Sequence, residues 1–219
     1  MSWLFDDDHR ALQDRFGTRA LADRLEQGHL RRHIGPAEAG FIEARDMFFL
    51  STIDGQGRPT VSYKGGAPGF VAVVDGATLA FPSYDGNGMY LSMGNIAGRA
   101  QVGMLFIDFE TPRRLRLQGE AELSDDAAVL ARWPGADLAV RVSVSGLWVN
   151  CPRYVHRYRR VEESRYVPDA QGAAPLAGWK RIDDMQDVLA PGEAAEARRQ
   201  GLIDEEGWVA RVDAGDREA

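Results

Sequence analysis

Turn dipeptides fall between short runs of alternating apolar residues across the middle of this chain, and that punctuation limits what it can fold into. FFLSTI is followed by DGQG and RPTVSY, and GFVAVV by Asp75-Gly76 and then TLAFPS. Runs this short, separated by turns this tight, read as β-hairpins and leave no room for the crossover helix that parallel strands need. QVGMLFIDF and RRLRLQGEAELS supply two further strands joined through Glu110-Thr111-Pro112. DLAVRVSVSGLWVN adds another, with Val140, Val142 and Val144 on one side and Arg141, Ser143 and Ser145 on the other. Six or seven hairpin-linked strands predict a mainly β architecture, a small antiparallel barrel with peripheral helices, rather than βαβ units.

The flanks read differently. In DDHRALQDRFGTRALADRLEQ the apolar Leu12, Phe16, Leu21 and Leu25 recur at helical intervals, with Gly17 weakening the middle. PAEAGFIEARD places Pro36 at a first helical position. YDGNGMYLSMGNIAG is too glycine-rich for a strand and predicts a short helix through Met89, Leu91, Met93 and Ile96. DDAAVL predicts another, capped by Ser124 or Asp125. Arg159 to Pro175 reads as a connecting loop. WKRIDDMQDVLAPG reads as a short helix stopped near Pro191-Gly192, EAAEARRQGLI as another, and RVDAGDREA as a fraying end. The expected organisation is a single domain: a helical extension over 1–45, a barrel core over 46–158, and a loop and helical extension over 159–219.

Composition narrows the function. The formal net charge of -7 and pI near 5.2 argue against a broad nucleic-acid surface. The lone Cys151 rules out an intrachain disulfide framework and fits a reducing compartment. MSWLFDDDHRAL has neither a basic leader nor an apolar core, so no signal peptide or membrane span is expected, and the expected location is cytoplasmic.

Four stretches carry candidate chemistry. SYKGG offers Ser62, Tyr63 and Lys64 beside a bare backbone; a phosphate ester wants a cation and convergent N–H donors, and glycine lets the backbone come close. The plain alternative is a strand end with an exposed lysine. GxxxxGK[ST] and GxGxxG after a strand are both lacking. YDGNGMYLSMGN sets Asp85, Asn87 and Asn95 among glycines near Phe81, Tyr84 and Tyr90, which suits a flat heterocycle, or equally an Asx-rich turn before a packed helix. Arg114 and Arg116 share one strand face and could hold a phosphate or carboxylate, or line a solvated face; the pair matters only if Lys64 lies across from it. WVNCPRYVHR contains Cys151 and His156, but a packing cysteine is commoner than a nucleophile, and no HExxH or equivalent supports zinc. No residue stands out as a catalytic acid or base, and no metal is expected.

These stretches, in this order, carry a resemblance. FFLSTIDGQGRPTVSYKGGAPGF, LAFPSYDGNGMYLSMGNI, VGMLFIDF, RRLRLQG and NCPRYVHR, from about Phe48 through Arg157, resemble the pyridoxamine 5'-phosphate oxidase-like family of FMN-binding split-barrel proteins, especially its uncharacterised branch. The resemblance implies a six-stranded antiparallel split barrel, a homodimer, and FMN at the subunit interface. It implies cofactor contacts from Ser62, Tyr63 and Lys64, from Phe81-Pro82-Ser83 and the loop after it with Asn87 and Asn95, and from Arg114 and Arg116. Arg114 falls where the true oxidases carry a ring-contacting glutamine. Asp85-Gly86-Asn87-Gly88 stands in place of a basic Ser-Arg-Lys phosphate motif, and the C-terminal arginine-rich substrate motif is not evident. Those departures weigh against pyridoxamine phosphate as substrate. The expected function is an FMN-dependent oxidoreductase of a small molecule. The alternatives are a binder of a deazaflavin or haem-related ligand, and a non-catalytic barrel for ligand binding.

Overall fold

The computed structural model describes residues 2–218. The chain divides into two compact units, one running to Glu163 and the other from Ser164. The first carries α1 (Asp7–Arg15), α2 (Arg19–His29) and α3 (Pro36–Glu43), then β1 (Met47–Ile53), β2 (Pro59–Gly65), β3 (Ala72–Asp75), β4 (Thr78–Tyr84), α4 (Leu91–Gly98), β5 (Gln101–Asp108), β6 (Arg113–Ser124), α5 (Ala127–Leu130) and β7 (Ala136–Asn150). One antiparallel sheet takes all the strands in the order β2-β1-β5-β6-β7-β4-β3, so β2 and β3 are its edges. It has seven strands where the resemblance implies six, because the four-residue β3 adds itself outside β4.

Register fixes which side each residue serves. Phe48, Leu50 and Thr52 of β1 point inward and are fully buried, as are Phe106, Phe81, Val140 and Val142 from neighbouring strands. Phe48 is the hub: its ring meets Phe81 edge-on at 4.9 Å and lies 5.2 Å from Phe106 and 5.9 Å from Phe70. Such side chains each contribute about 1.5–3 kcal/mol by leaving water.

Gly66 explains part of the odd SYKGGAPGF stretch. A Cβ there would sit 2.6 Å from Cγ of Phe70, so the residue is bare to let the Phe70 ring into the core rather than to admit a ligand. Trp133 seals the same corner by donating its indole N–H to the Phe70 carbonyl at 2.8 Å.

The helices repay a closer look at their ends. Gly17, at φ 65°, splits the N-terminal helical pattern into α1 and α2. Pro36 opens α3, as expected. α5 starts one residue later than its sequence suggests, so Asp126, not Ser124 or Asp125, caps it, accepting from the Ala128 amide at 2.8 Å.

The second unit differs more from expectation. Two 3-10 turns (Gly178–Arg181 and Asp183–Met185) replace the short helix, and Pro191 starts α6 (Pro191–Gln200) rather than stopping its predecessor. Its missing N–H and fixed φ suit a first turn. α7 (Glu205–Asp213), capped by Asp204, takes in the beginning of the segment expected to fray. Lys180, Ile182, Ala194 and Ala197 are buried, and the Lys180 ammonium meets Glu193 at 2.5 Å. No helix among the described residues is long and apolar enough to cross a membrane.

Candidate functional site

β2 is an edge strand, and alternation gives it two characters. Thr60, Ser62 and Lys64 stand opposite Thr52, Leu50 and Phe48, on the inner side; Val61 and Tyr63 stand opposite Ser51 and Phe49, on the outer side. On the inner side β2 meets α4 through a chain of short polar contacts. Ser62 Oγ is 3.0 Å from Ser92 Oγ, Asn95 donates to Thr52 Oγ1 at 3.0 Å, and Thr52 Oγ1 lies 3.0 Å from Thr60 Oγ1. Thr52 is fully buried and Ser92 nearly so, which is tolerable because their hydroxyls are partnered.

α4 begins without a side-chain cap. Its N-cap Tyr90 is in the left-handed region at φ 48°, and its hydroxyl donates to Asp137 at 3.2 Å instead of turning back onto the helix. The first N–H groups of a helix have no intrahelical acceptor, so this end carries spare donors and the positive end of the helix dipole. Ser92 sits in that first turn.

Lys64 follows Ser62 on the same inner side of β2. It is half-buried, and loss of hydration pushes its pKa below the usual lysine value. No ion pair or hydrogen bond of its side chain occurs among the described residues. A cation in that position is a cost to the free protein that an anion would relieve.

The other expected contacts scatter. Phe81 is fully buried in the core and Pro82 is buried against β7 beside Ala139; Ser83 is half-buried near the end of β4. Asn87 folds back in an exposed loop, its carbonyl accepting from the Met89 amide at 3.1 Å. Tyr63 projects from the outer side, 62% exposed, with its ring edge-on to Phe49 at 6.2 Å. Arg116 shares that outer side, in a row running Tyr63, Phe49, Leu105, Arg116 and Trp148 across four strand pairings. Lys64 and Arg116 of one chain therefore lie on opposite faces of the sheet, three strands apart, and do not meet on one phosphate. Arg114 is engaged: its guanidinium donates to the Cys151 carbonyl, and its Nε is closed off from solvent. It ties down the segment after β7.

Ser62 and Asn95 thus join one polar cluster, with Lys64 two residues along the same side of β2 and Tyr63 on the reverse of that strand. Ser92, Thr52 and Thr60 complete the cluster without having been singled out in the sequence. The alternation Thr60, Ser62, Lys64 was the available signal for one of them. Ser92 shows only once α4 is placed against β2. Cys151 is exposed, with no contact to His156 among the described residues; its sulfur accepts weakly from the Arg153 amide at 3.4 Å. No group of three or more His, Cys, Asp or Glu side chains among the described residues could hold a metal.

An open antiparallel sheet of this order, with a short helix packed on its edge hairpin, is a split-barrel architecture. Residues 34–165 match the family model described as pyridoxamine 5'-phosphate oxidase, and the chain belongs to that family. Among solved structures it is similar to HupZ of Group A Streptococcus (14% identity, 57% of this chain and 99% of that one, TM-score 0.45). It is similar to HutZ, the haem storage protein of Vibrio cholerae (20% identity, 53% and 94%, TM-score 0.40). An F420 reductase is similar as well (23% identity, 52% and 98%, TM-score 0.38). Comparison with curated protein sequences gives no match.

Proposed function

We propose that this chain is an FMN-binding flavoprotein, an oxidoreductase acting on a small molecule, and that it works as a homodimer with the cofactor at the subunit interface. The observation that carries the reading is Lys64: a half-buried ammonium with no partner among the described residues, on the same side of β2 as Ser62, whose hydroxyl meets Ser92 in the uncapped first turn of α4. A phosphate monoester fits that set, since it offers the opposite charge to Lys64 and acceptors to the first amides of α4, which have no side-chain cap. Ser62, Lys64, Ser92 and the first amides of α4 would hold it. The open edge of β2 leaves backbone N–H and C=O groups available to the polar rim of a flat ring, and Tyr63 supplies an apolar face nearby. Family membership favours the same cofactor.

FMN, when bound, supplies two-electron chemistry, and the chain's own residues bind and orient it. The homodimer is favoured by apolar side chains left outside the monomer, among them Val61 and Tyr63 on the outer side of β2. The reading is tested by the absorbance spectrum of the purified protein, followed by anaerobic addition of candidate reductants. Flavin bands that bleach with a substrate support an oxidoreductase. Flavin bands that no reductant bleaches leave a binding protein, and a haem spectrum or none after FMN addition defeats the proposal.

A further inference from the structure

The loop between β4 and α4 is built for a reaction that needs no second molecule but water. Asn-Gly occurs once in this chain, at Asn87-Gly88, and both residues are exposed. The Asn87 side chain folds back along the loop: its Oδ1 accepts from the Met89 amide at 3.1 Å, and its Nδ2 reaches the Met89 sulfur at 3.3 Å. The ring closed by the first contact contains both the Asn87 Cγ and the Gly88 nitrogen, and accepting a hydrogen bond makes that carbon more open to attack. The Gly88 N–H donates to no acceptor among the described residues. With φ at 73° and no Cβ, nothing of its own side chain shields the nitrogen. The other two asparagines lack this arrangement. Asn95 lies inside α4, precedes the β-branched Ile96 and donates its amide to Thr52 at 3.0 Å; Asn150 ends β7, with its Oδ1 closed off from solvent. The Asp-Gly pairs at Asp54, Asp75 and Asp85 are poorer sites, because an ionised carboxylate resists a nucleophile.

We propose that Asn87-Gly88 is a self-modification site, where the chain deamidates through a cyclic imide and sets a new carboxylate at the approach to α4. The Gly88 nitrogen gives up its proton to solvent base and attacks the Asn87 Cγ. A Cγ–N bond forms, the Cγ–Nδ2 bond breaks, and ammonia leaves with a proton from solvent. Water then opens the imide. Attack at Cγ gives aspartate; attack at the Asn87 backbone carbonyl gives isoaspartate, whose main chain runs through Cβ and Cγ. One water is consumed and one ammonia released, with no oxidant or reductant. The modification stands on the loop alone, whereas its consequence rests on the flavin reading. Asn87 stands just before Tyr90, the N-cap of α4, whose uncapped first amides would hold the phosphate. A carboxylate there competes for the positive end of the helix and repels the phosphate, so FMN affinity should fall about two- to fivefold.

Ageing the full chain at mildly alkaline pH tests it, with peptide mass spectrometry of the digest and an isoaspartyl methyltransferase to report isoaspartate. Asn87 is expected to gain about one dalton, roughly tenfold or more faster than Asn95 or Asn150, which their elements protect. Asn87→Gln, whose longer side chain closes the ring poorly, should gain nothing at that position. FMN titrations then compare fresh and aged samples of each protein. Aged wild type should lose affinity about two- to fivefold, Asn87→Asp should show the same loss when fresh, and aged Asn87→Gln should match its own fresh sample. No gain at Asn87, or equal rates at all three asparagines, overturns the modification. Fully modified wild type that binds FMN as the fresh protein does overturns the consequence. Fresh wild type that binds no FMN defeats the flavin reading and the consequence with it, and the mass measurement still decides the modification.

Discussion

Replacing Lys64 with Met separates what this residue costs the free protein from what it gives the complex. The methionine keeps most of the aliphatic stem and removes the ammonium. In the free protein the charge is half-buried with no partner among the described residues, so its removal should leave stability unchanged or, after screening by solvent, raise it by up to about 1 kcal/mol. Toward FMN the sign reverses. A hydrogen bond to a charged group contributes about 1.5–3 kcal/mol, and partial solvent contact at Lys64 argues for the lower part of that range, so affinity should fall roughly 10- to 40-fold. The assay is flavin-fluorescence titration of cofactor-free wild type and variant, with urea unfolding of both. Loss of stability together with unchanged FMN affinity would refute the reasoning, since it would make Lys64 a structural residue.

A pH dependence follows from the same residue. With its folded pKa below its unfolded value, Lys64 penalises the free protein fully below the folded pKa. The penalty is relieved as pH rises through that value, because the unfolded chain then binds more protons. A phosphate beside it restores protonation, so FMN affinity should decline on the alkaline side, and this part of the decline should vanish in Lys64→Met. Gly66→Ala forces a Cβ to 2.6 Å from the buried Phe70 ring and should cost about 1–3 kcal/mol in chemical denaturation. Gly146→Ala meets only the outer end of Trp3, so it should shift Trp fluorescence and free the N-terminal arm while costing under about 0.5 kcal/mol. Trp133→Phe leaves the Phe70 carbonyl without its donor and should lower stability by about 1–3 kcal/mol, seen as a lower melting temperature.

The strands were legible in the sequence because alternation and turn chemistry are local. FFLSTI, RPTVSY and RRLRLQGEAELS fall where β1, β2 and β6 are, and Pro36 opens a helix as expected, whereas Gly17 separates two helices where the sequence suggested only a weak point in one. The site was only half legible. Lys64 and Ser62 share a face by simple alternation, but their partner Ser92 arrives from α4, and only the tertiary fold brings it within 3.0 Å of Ser62. Arg116 invited pairing with Lys64 because both are cations on strands. Counting residues from Phe48 and Phe49 across the sheet puts them on opposite faces, and that count needs the strand order. The glycines of SYKGG look alike in sequence for a ligand cradle and for packing; the position of Phe70 decides for packing at Gly66. In the C-terminal unit Pro191 could end one helix or begin the next, and only the structure of the following residues distinguishes these.

On the proposed reading FMN binds with its phosphate held by Lys64, Ser62, Ser92 and the start of α4. Comparing the dissociation constants of FMN and riboflavin for the cofactor-free protein tests it most directly, because the two ligands share a ring and differ in that phosphate. FMN is expected to bind the wild type at least tenfold more tightly than riboflavin does, and Lys64→Met to remove most of the difference. Equal affinity of the wild type for the two ligands, or a preference for FMN that survives intact in Lys64→Met, would contradict it.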